Sequence, residues 1–206
     1  PVGCDLLLGA EFALLRSQFF AARGDALARD RAKHPVRRVF VAMGGIDGRK
    51  LTPMVLEAIE QSRLDVAVDV VLGGRAASLK AVRARVADYP LPIRLHVDID
   101  QVAPLMAAAE LAVGAAGTGA LERCCLGLPS LTVTVADNQR NHATALTAAG
   151  AIENLGWWEN FDANDMALSL AALSADAERR RAMGMDAARL CDGLGARRAA
   201  MAIAPE

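Results

Sequence analysis

The sequence has little that would suit a membrane or a nucleic acid. No apolar run reaches the roughly 18 residues that span a bilayer, and the first residues, PVGCD, lack the basic region and cleavage site of a signal peptide. The formal net charge of −1 gives no electrostatic basis for binding nucleic acid. We therefore expect a cytoplasmic protein with no membrane span and no nucleic-acid partner.

Metal ligands are equally sparse. No C-x-x-C pair is present, and the candidate ligands are scattered over Cys4, Cys124, Cys125, Cys191, His34, His96 and His142. This spacing argues against a zinc site. Adjacent cysteines are not expected to bridge each other, so we expect buried, reduced thiols that pack in the core. The sequence predicts neither a metal nor a cofactor.

The sequence does have enough apolar residues for a core, 53% of 206. Strand-like and helix-like stretches alternate along it. Short β-rich runs occur at 37–43, 66–72, 92–97, 110–115 and 130–135, with a possible sixth at 151–156. Helical patterns separate them at 51–62, 77–89, 101–110, 118–127 and 138–150. This alternation predicts an α/β fold, a Rossmann-like parallel sheet with helices on both faces.

The ends of the chain differ from this pattern. Residues 1–35 do not complete a strand–helix unit and are predicted to be a lead-in segment. A Rossmann-like domain is predicted over 36–190. After 162 the chain is helical, with breaks near Ser174 and at 192–195, and a C-terminal helix is expected within 191–206.

Glycine-rich turns follow three of the predicted strands, at 43–48, 72–77 and 114–120. Ligands of open parallel sheets bind beyond the carboxyl ends of the strands. Glycine lets the backbone approach a ligand closely, and a helix beginning there presents free N–H groups to an anion. The turns therefore favour phosphate binding, although ordinary strand-to-helix turns have the same composition. The dinucleotide and P-loop fingerprints are both absent.

Glu122 is the acid nearest to the third turn. If Thr118 caps the helix, Glu122 lies four residues further, roughly 6 Å along the axis. A carboxylate at that distance from a phosphate suits the two hydroxyls of a ribose, accepting a hydrogen bond from each. The alternative is a solvated surface glutamate.

Amide side chains follow the next strand, in DNQRN at 137–141. Asn138 is suited to capping the following helix, which is the commoner role. Gln139 has no evident structural role there and is a candidate for contact with a sugar hydroxyl or a phosphate.

Together, the stretches VAMGGID, GAAGTGALERCCLGLPS, ADNQRN and CDGLGARR resemble one family. They are similar to the nucleotide-binding half of the UDP-sugar hydrolases of pseudaminic acid biosynthesis, which act on a UDP-linked diacetamido-trideoxyhexose. That family is close to the spore-coat polysaccharide SpsG proteins and more distantly similar to MurG. The resemblance implies a GT-B fold, of which this chain would be the C-terminal, UDP-binding half.

The resemblance also implies roles for individual residues. Gly44 and Gly45 would approach the diphosphate, as would the amides of Gly117 and Thr118. Ile99 would meet uracil through its backbone, and Glu122 would hold the ribose. Asn138 and Gln139 would face the phosphate or the sugar.

The family's catalytic histidine belongs to an N-terminal domain that this sequence does not contain. The residues here give no catalytic assignment, and we expect that domain, together with UDP or a UDP-sugar, to be the partner of this chain. Three functions stay open at this point: part of a UDP-sugar hydrolase for surface polysaccharide, part of a glycosyltransferase that uses a UDP-sugar, or a non-catalytic nucleotide-binding domain.

Overall fold

The fold is a six-stranded parallel sheet covered by helices on both faces. The computed structural model describes residues 6–203. Its strands lie in the order β3-β2-β1-β4-β5-β6, and every neighbouring pair is parallel. The strands are β1 (Arg38–Ala42), β2 (Ala67–Leu72), β3 (Ile93–Val97), β4 (Leu111–Ala115), β5 (Ser130–Thr134) and β6 (Glu153–Trp157). This architecture confirms the predicted Rossmann-like sheet, including its sixth strand.

The helices connect successive strands and then close the chain. They are α1 (Ser17–Ala28), α2 (Thr52–Gln61), α3 (Leu79–Ala87), α4 (Ala103–Ala108), α5 (Thr118–Cys125), α6 (Arg140–Ala148), α7 (Ala163–Ala175), α8 (Ala177–Leu190) and α9 (Gly195–Ile203). Short 3-10 turns occur at Ala10–Phe12, Asp137–Gln139 and Trp158–Asn160. Within residues 6–203, none of the helices combines the length and hydropathy that crossing a membrane requires.

Two apolar cores flank the sheet because side chains alternate along each strand. Val39 and Val41 point to the face covered by α2 and α7, where Ile59 and Leu170 are buried. Phe40 points to the opposite face, in the same buried cluster as side chains of α1, α4 and α5. Both faces are therefore dry, which explains why the central strands are almost continuously hydrophobic.

Helix α1 lies within the segment that the sequence pattern treated as a lead-in. Its Phe19 and Ala26 are almost fully buried in the second core. A charged residue of this helix has tertiary partners. Arg23 donates through Nη1 to the Cys191 carbonyl at 2.9 Å and through Nη2 to the Ala188 carbonyl at 2.8 Å. The pattern missed this helix because it is not cleanly amphipathic: Phe20 and Leu27 are exposed, whereas Arg23 is partly buried against backbone carbonyls. Residues 1–5, including Cys4, lie outside the described residues.

The order of the strands places one crevice at the centre of the sheet. The chain runs outward from β1 through β2 to β3, then returns to place β4 on the other side of β1. The turns after β1 and β4 therefore leave in opposite directions from adjacent strands. Such a switch point is where open parallel sheets form a binding crevice.

Candidate functional site

A cleft of about 450 Å³ lies at this switch point, beyond the carboxyl ends of the central strands. It is lined by Arg16, Ala42, Gly44, Gly45, Val71, Leu72, Gly73, Asp98, Ile99, Val102, Met106, Ala115, Gly117, Thr118, Gly119, Glu122, Arg123 and Gln139. Of the site residues predicted from the sequence, Asn138 alone does not line the cleft; it is exposed in the 3-10 turn after β5.

The turn after β1 forms one wall of the cleft. Gly44 has a φ of +98°, a conformation that favours glycine. A methyl group added at Gly45 would meet no atom within 4 Å, so this backbone is open to a ligand. The Gly45 carbonyl accepts a hydrogen bond from the Gly73 amide at 2.9 Å, which ties the first glycine turn to the second.

The start of α5 forms the opposite wall. The spacing argument for Glu122 took Thr118 as the cap; in the structure Gly117 is the N-cap residue, Thr118 is the first helical residue, and no side chain caps the end. The Ala120 amide donates to the Gly117 carbonyl at 2.8 Å. The amides of Thr118 and Gly119 lie in the first helical turn, where no carbonyl of the helix precedes them. They are therefore available to an anion.

Glu122 lies one turn further along α5, and its side chain is only 17% exposed. Burial raises the pKa of its carboxyl group, against the opposing influence of the Arg16 guanidinium, which lies 3.4 Å from Oε1. Arg16 is about half exposed, so this ion pair is weak and can rearrange. A carboxylate with such a partner is able to accept hydrogen bonds from two hydroxyls of a ligand.

Gln139 has a structural role that the sequence did not suggest. Its Oε1 accepts a hydrogen bond from the Val135 amide at 3.0 Å, closing the turn after β5. Its Nε2 lies against Gly117, where an added methyl would come within 3.0 Å of it. The side chain therefore joins the ends of β4 and β5 while remaining part of the cleft wall.

Three charged lining residues were missed from the sequence: Arg16, Asp98 and Arg123. Asp98 follows β3, has a φ of +52°, and accepts a hydrogen bond from the Gly74 amide at 2.6 Å. Asp98 could have been predicted by the rule that identified the glycine turns, because it also lies at the carboxyl end of a strand. No sequence signal marks Arg16, because only the tertiary fold brings α1 to this edge.

Arg123 is almost completely buried, with 1% of its surface exposed. Its Nε donates to Ser130 Oγ at 3.2 Å and its Nη2 to the Ala115 carbonyl at 2.9 Å. Burial lowers the pKa of Arg123 to about 10, which leaves the guanidinium charged at neutral pH. A signal was present in the sequence, because a charged residue interrupts the apolar stripe that Ala120 and Cys124 form on this helix.

The histidines do not supply a recognisable base to the cleft. His142 lies on α6 with its Nδ1 2.9 Å from the Ala116 carbonyl, at the turn after β4. Its Nε2 is buried without a partner. His96 bonds Asp69, 2.8 Å away on the neighbouring strand.

The thiols and other potential metal ligands that the structure describes form no site either. Cys124, Cys125 and Cys191 are free and buried, and burial raises the pKa of the Cys124 thiol to about 12. Across residues 6–203, no three side chains of the types that hold metals come together.

The fold and the cleft define a Rossmann-like domain with an open crevice at its switch point. The chain belongs to the family described as the glycosyltransferase family 28 C-terminal domain, whose model matches residues 38–190. That match covers all six strands and the cleft except for Arg16.

Two curated proteins are similar in sequence. The spore coat polysaccharide biosynthesis protein SpsG of Bacillus subtilis (strain 168) is 27% identical over 189 residues, covering 91% of this chain and 54% of that protein. The uncharacterized protein MJ1062 of Methanocaldococcus jannaschii is 27% identical over 134 residues, covering 64% of this chain and 28% of that protein. The chain thus spans about half the length of the first relative and less of the second.

Solved structures with the same fold include MurG of Acinetobacter baumannii, with a TM-score of 0.67 and 18% identity over 85% of this chain and 53% of that one. The spinosyn rhamnosyltransferase SpnG matches with a TM-score of 0.60 and 22% identity, over 83% of this chain and 46% of that one. SpnG has also been solved in complex with thymidine diphosphate, where the TM-score is 0.54. At these identities the likeness establishes the fold.

Proposed function

We propose that this domain binds the nucleoside diphosphate part of a UDP-sugar, as the nucleotide-binding half of an enzyme of surface polysaccharide biosynthesis. The observation that carries the proposal is the convergence of the Gly44–Gly45 turn, the start of α5 and Glu122 on one cleft. The SpsG relative, named for polysaccharide biosynthesis, and the SpnG complex with thymidine diphosphate support it.

In this proposal the diphosphate lies between the open backbone of Gly45 and the free amides of Thr118 and Gly119. The ribose lies beside Glu122, whose carboxylate exchanges its contact with Arg16 for two hydroxyl groups. Ile99, half-buried at the end of β3, presents its backbone to uracil. Gln139 is close enough to the start of α5 to contact phosphate, whereas Asn138 is the weakest of the proposed contacts because it is outside the cleft lining.

For the reaction, we propose hydrolysis of the UDP-sugar, the activity that the motif resemblance implies. The matched family, described as a glycosyltransferase family, favours a second candidate, transfer of the sugar to an acceptor. In either case the domain binds the leaving nucleotide, and the reacting water or acceptor is brought by an N-terminal domain. That domain and the cytoplasmic location expected from the sequence remain predictions.

Calorimetry with UDP, ADP and uridine tests the nucleotide assignment. UDP should bind more tightly than ADP, because the base meets the backbone after β3 in a pocket predicted for uracil. It should also bind more tightly than uridine, because phosphate contacts are lost. Tighter binding of ADP than of UDP would refute the assignment.

A second experiment tests the need for another domain. This chain alone should release no UDP from a UDP-amino sugar, as followed by NMR, because a base must lie within hydrogen-bond distance of the attacking water. The full-length protein should release UDP without any acceptor if it is a hydrolase, and with an acceptor only if it is a transferase. Turnover by this chain that disappears in His142→Ala would overturn the proposal of a separate catalytic domain.

A further inference from the structure

We propose that Arg123 is a direct anion-binding residue, whose Nη1 donates to a phosphate oxygen of the bound nucleotide from beneath the turn after β4. This inference rests on the proposed nucleotide-binding function and adds to it a residue that neither the sequence pattern nor the comparisons assigned.

The first observation is that two sides of the Arg123 guanidinium are occupied by protein and one is not. Nε bonds Ser130 Oγ and Nη2 bonds the Ala115 carbonyl. Nη1 donates to no group within residues 6–203, although the residue is 99% buried and lines the cleft. Nη1 is not among the fully enclosed side-chain donors that lack a partner, so it borders the open cleft. A ligand oxygen in the cleft would give this charged donor an acceptor.

The second observation is that glycines make room for this donor. A methyl group added at Gly114 would overlap Nη1, and one added at Gly119 would lie 3.5 Å from it. The turn glycines that the sequence pattern assigned to ligand approach therefore also accommodate a buried arginine. This places Nη1 under the start of α5, close to Gly119.

The third observation is the chemistry of the surroundings. The helix start and the guanidinium both favour negative charge, and hydrogen bonds between charged groups are the stronger ones. Glu122 is the one nearby acid that interacts with Arg123, and its side chain reaches Gly119 on the same side. A phosphate at Nη1 with a ribose at Glu122 thus satisfies both side chains with one ligand.

The test is a comparison of UDP with uridine in Arg123→Met. We expect the dissociation constant for UDP to rise about tenfold or more, as loss of a hydrogen bond between charged groups implies. The constant for uridine, measured by ligand-observed NMR, should stay unchanged. The salt dependence of UDP binding should also become shallower, because one charge contact is gone.

Arg180→Met is the matched control. Arg180 is 3% exposed and bonds backbone carbonyls of Leu173 and His34, far from the cleft lining. Its loss should lower stability while leaving the ratio of UDP to uridine affinity as in the unchanged chain. An Arg123→Met variant whose ratio is likewise unchanged would overturn the inference and reduce Arg123 to a structural residue.

A measurement on the unchanged chain covers the case in which Arg123→Met does not fold. The side-chain ¹⁵N resonances of Arg123, assigned with Arg123→Lys, should shift on addition of UDP or of inorganic pyrophosphate and not of uridine. Absence of any shift with pyrophosphate and with UDP refutes the inference. A shift with pyrophosphate in a chain that does not bind UDP would uphold Arg123 as an anion donor while refuting the proposed nucleotide.

Discussion

Two arginine-lined hollows lie at opposite edges of the sheet, and they differ in what their arginines bind. The cleft at the carboxyl edge contains Arg16 and Arg123. A groove of about 380 Å³ lies near the amino edge, beside the residues that lead into β5, and contains Arg29, Arg31, Arg180, Arg181 and Arg189. By charge alone, the groove would be the better anion site.

The arginines of the groove already have partners within the protein. Arg31 donates to the carbonyls of Ala26 at 2.8 Å, Ala109 at 2.9 Å and Leu126 at 3.0 Å, close to the ends of α1, α4 and α5. Arg29 is paired with Glu110, Arg181 with Asp30, and Arg189 with Asp186. These guanidinium groups are helix caps and surface pairs, although the Nε of Arg180 is enclosed in the protein without a partner and is closed to a ligand.

The difference follows from the direction of the helices. In strand–helix units of a parallel sheet, helices begin at the carboxyl edge and end at the amino edge. Helix ends carry partial negative charge and unpaired carbonyls, so they attract arginines. Helix starts carry free amides, which offer an arginine no acceptor. Arg123, at the carboxyl edge, therefore has a donor from which no backbone carbonyl in the described part of the chain accepts a hydrogen bond. Counting charges is therefore a poorer guide to a site than asking which charges are unpaired.

The largest effect expected is from Arg31→Met. Three helix ends would lose their charged donor in a buried position, at a cost of about 3 kcal/mol in the free energy of unfolding. Urea denaturation measures this loss, and UDP affinity under native conditions should be retained. If Arg31→Met is as stable as the unchanged chain, the groove arginines are not structural, and the contrast between the two hollows fails.

Glu122→Gln tests the role of the acidic side chain in the cleft. UDP affinity should fall by about 1.5–3 kcal/mol, since a hydrogen bond to a charged group is lost. In the unchanged chain, affinity should also fall as the pH decreases through the raised pKa of Glu122, because the protonated carboxyl accepts hydrogen bonds poorly. That pH dependence should be absent in Glu122→Gln.

The free energy of unfolding of Glu122→Gln should not fall with its UDP affinity. A carboxyl group whose pKa is raised on folding binds protons more tightly in the folded state, so its contribution to stability decreases as the pH rises from the unfolded pKa through the folded one. At pH 7 the variant should be as stable as the unchanged chain or more so. Loss of stability with unchanged affinity for UDP would make Glu122 a structural residue.

Two glycine substitutions distinguish stretches that look alike in sequence, the end of β4 and the turn after β1. Gly114→Ala should destabilise the protein by about 1–3 kcal/mol, because its methyl overlaps Arg123 and comes within 2.8 Å of the Ala42 carbonyl oxygen. Gly45→Ala meets open space and should leave the thermal midpoint unchanged while weakening UDP binding. Equal destabilisation by both would show that the first turn is not the open wall of a cleft.

The smallest effect is expected from Arg181→Met, in the groove. Arg181 and Asp30 are both about half exposed, and such surface pairs contribute little. Neither the urea midpoint nor UDP affinity should change measurably. A clear loss of UDP affinity in Arg181→Met would place a ligand in the groove and reverse the comparison.

Much of the fold was predictable because it depends on local periodicity. The β-rich runs lie within a residue or two of the strands, and the breaks expected near Ser174 and at 192–195 separate α7, α8 and α9. The helix α1 was not predictable in the same way. Its amphipathic pattern is weak, since Phe20 and Leu27 are exposed while Arg23 is partly buried against distant backbone carbonyls.

The candidate site was predictable where it consists of turns. Glycines at the ends of strands and an acid one helical turn later were visible in the sequence, and the fold brings most of them to one cleft. The cap of α5 is Gly117, one residue before the Thr118 that the spacing argument assumed, and Asn138 lies outside the lining. Binding of UDP by these residues stays a prediction.

The sequence by itself determined the six strands, the order in which helices separate them and the position of the glycine turns, because each depends on the spacing of neighbouring residues. Only the tertiary structure decided which turns face one another, since β1 and β4 become adjacent through the return of the chain across the sheet. It also decided which arginines donate hydrogen bonds to helix ends and which keep a donor that is accessible from the cleft. That distinction depends on carbonyls up to about a hundred residues away in the sequence, such as those of Ala109 and Leu126 that accept from Arg31. The spacing of neighbouring residues cannot predict contacts at such a distance.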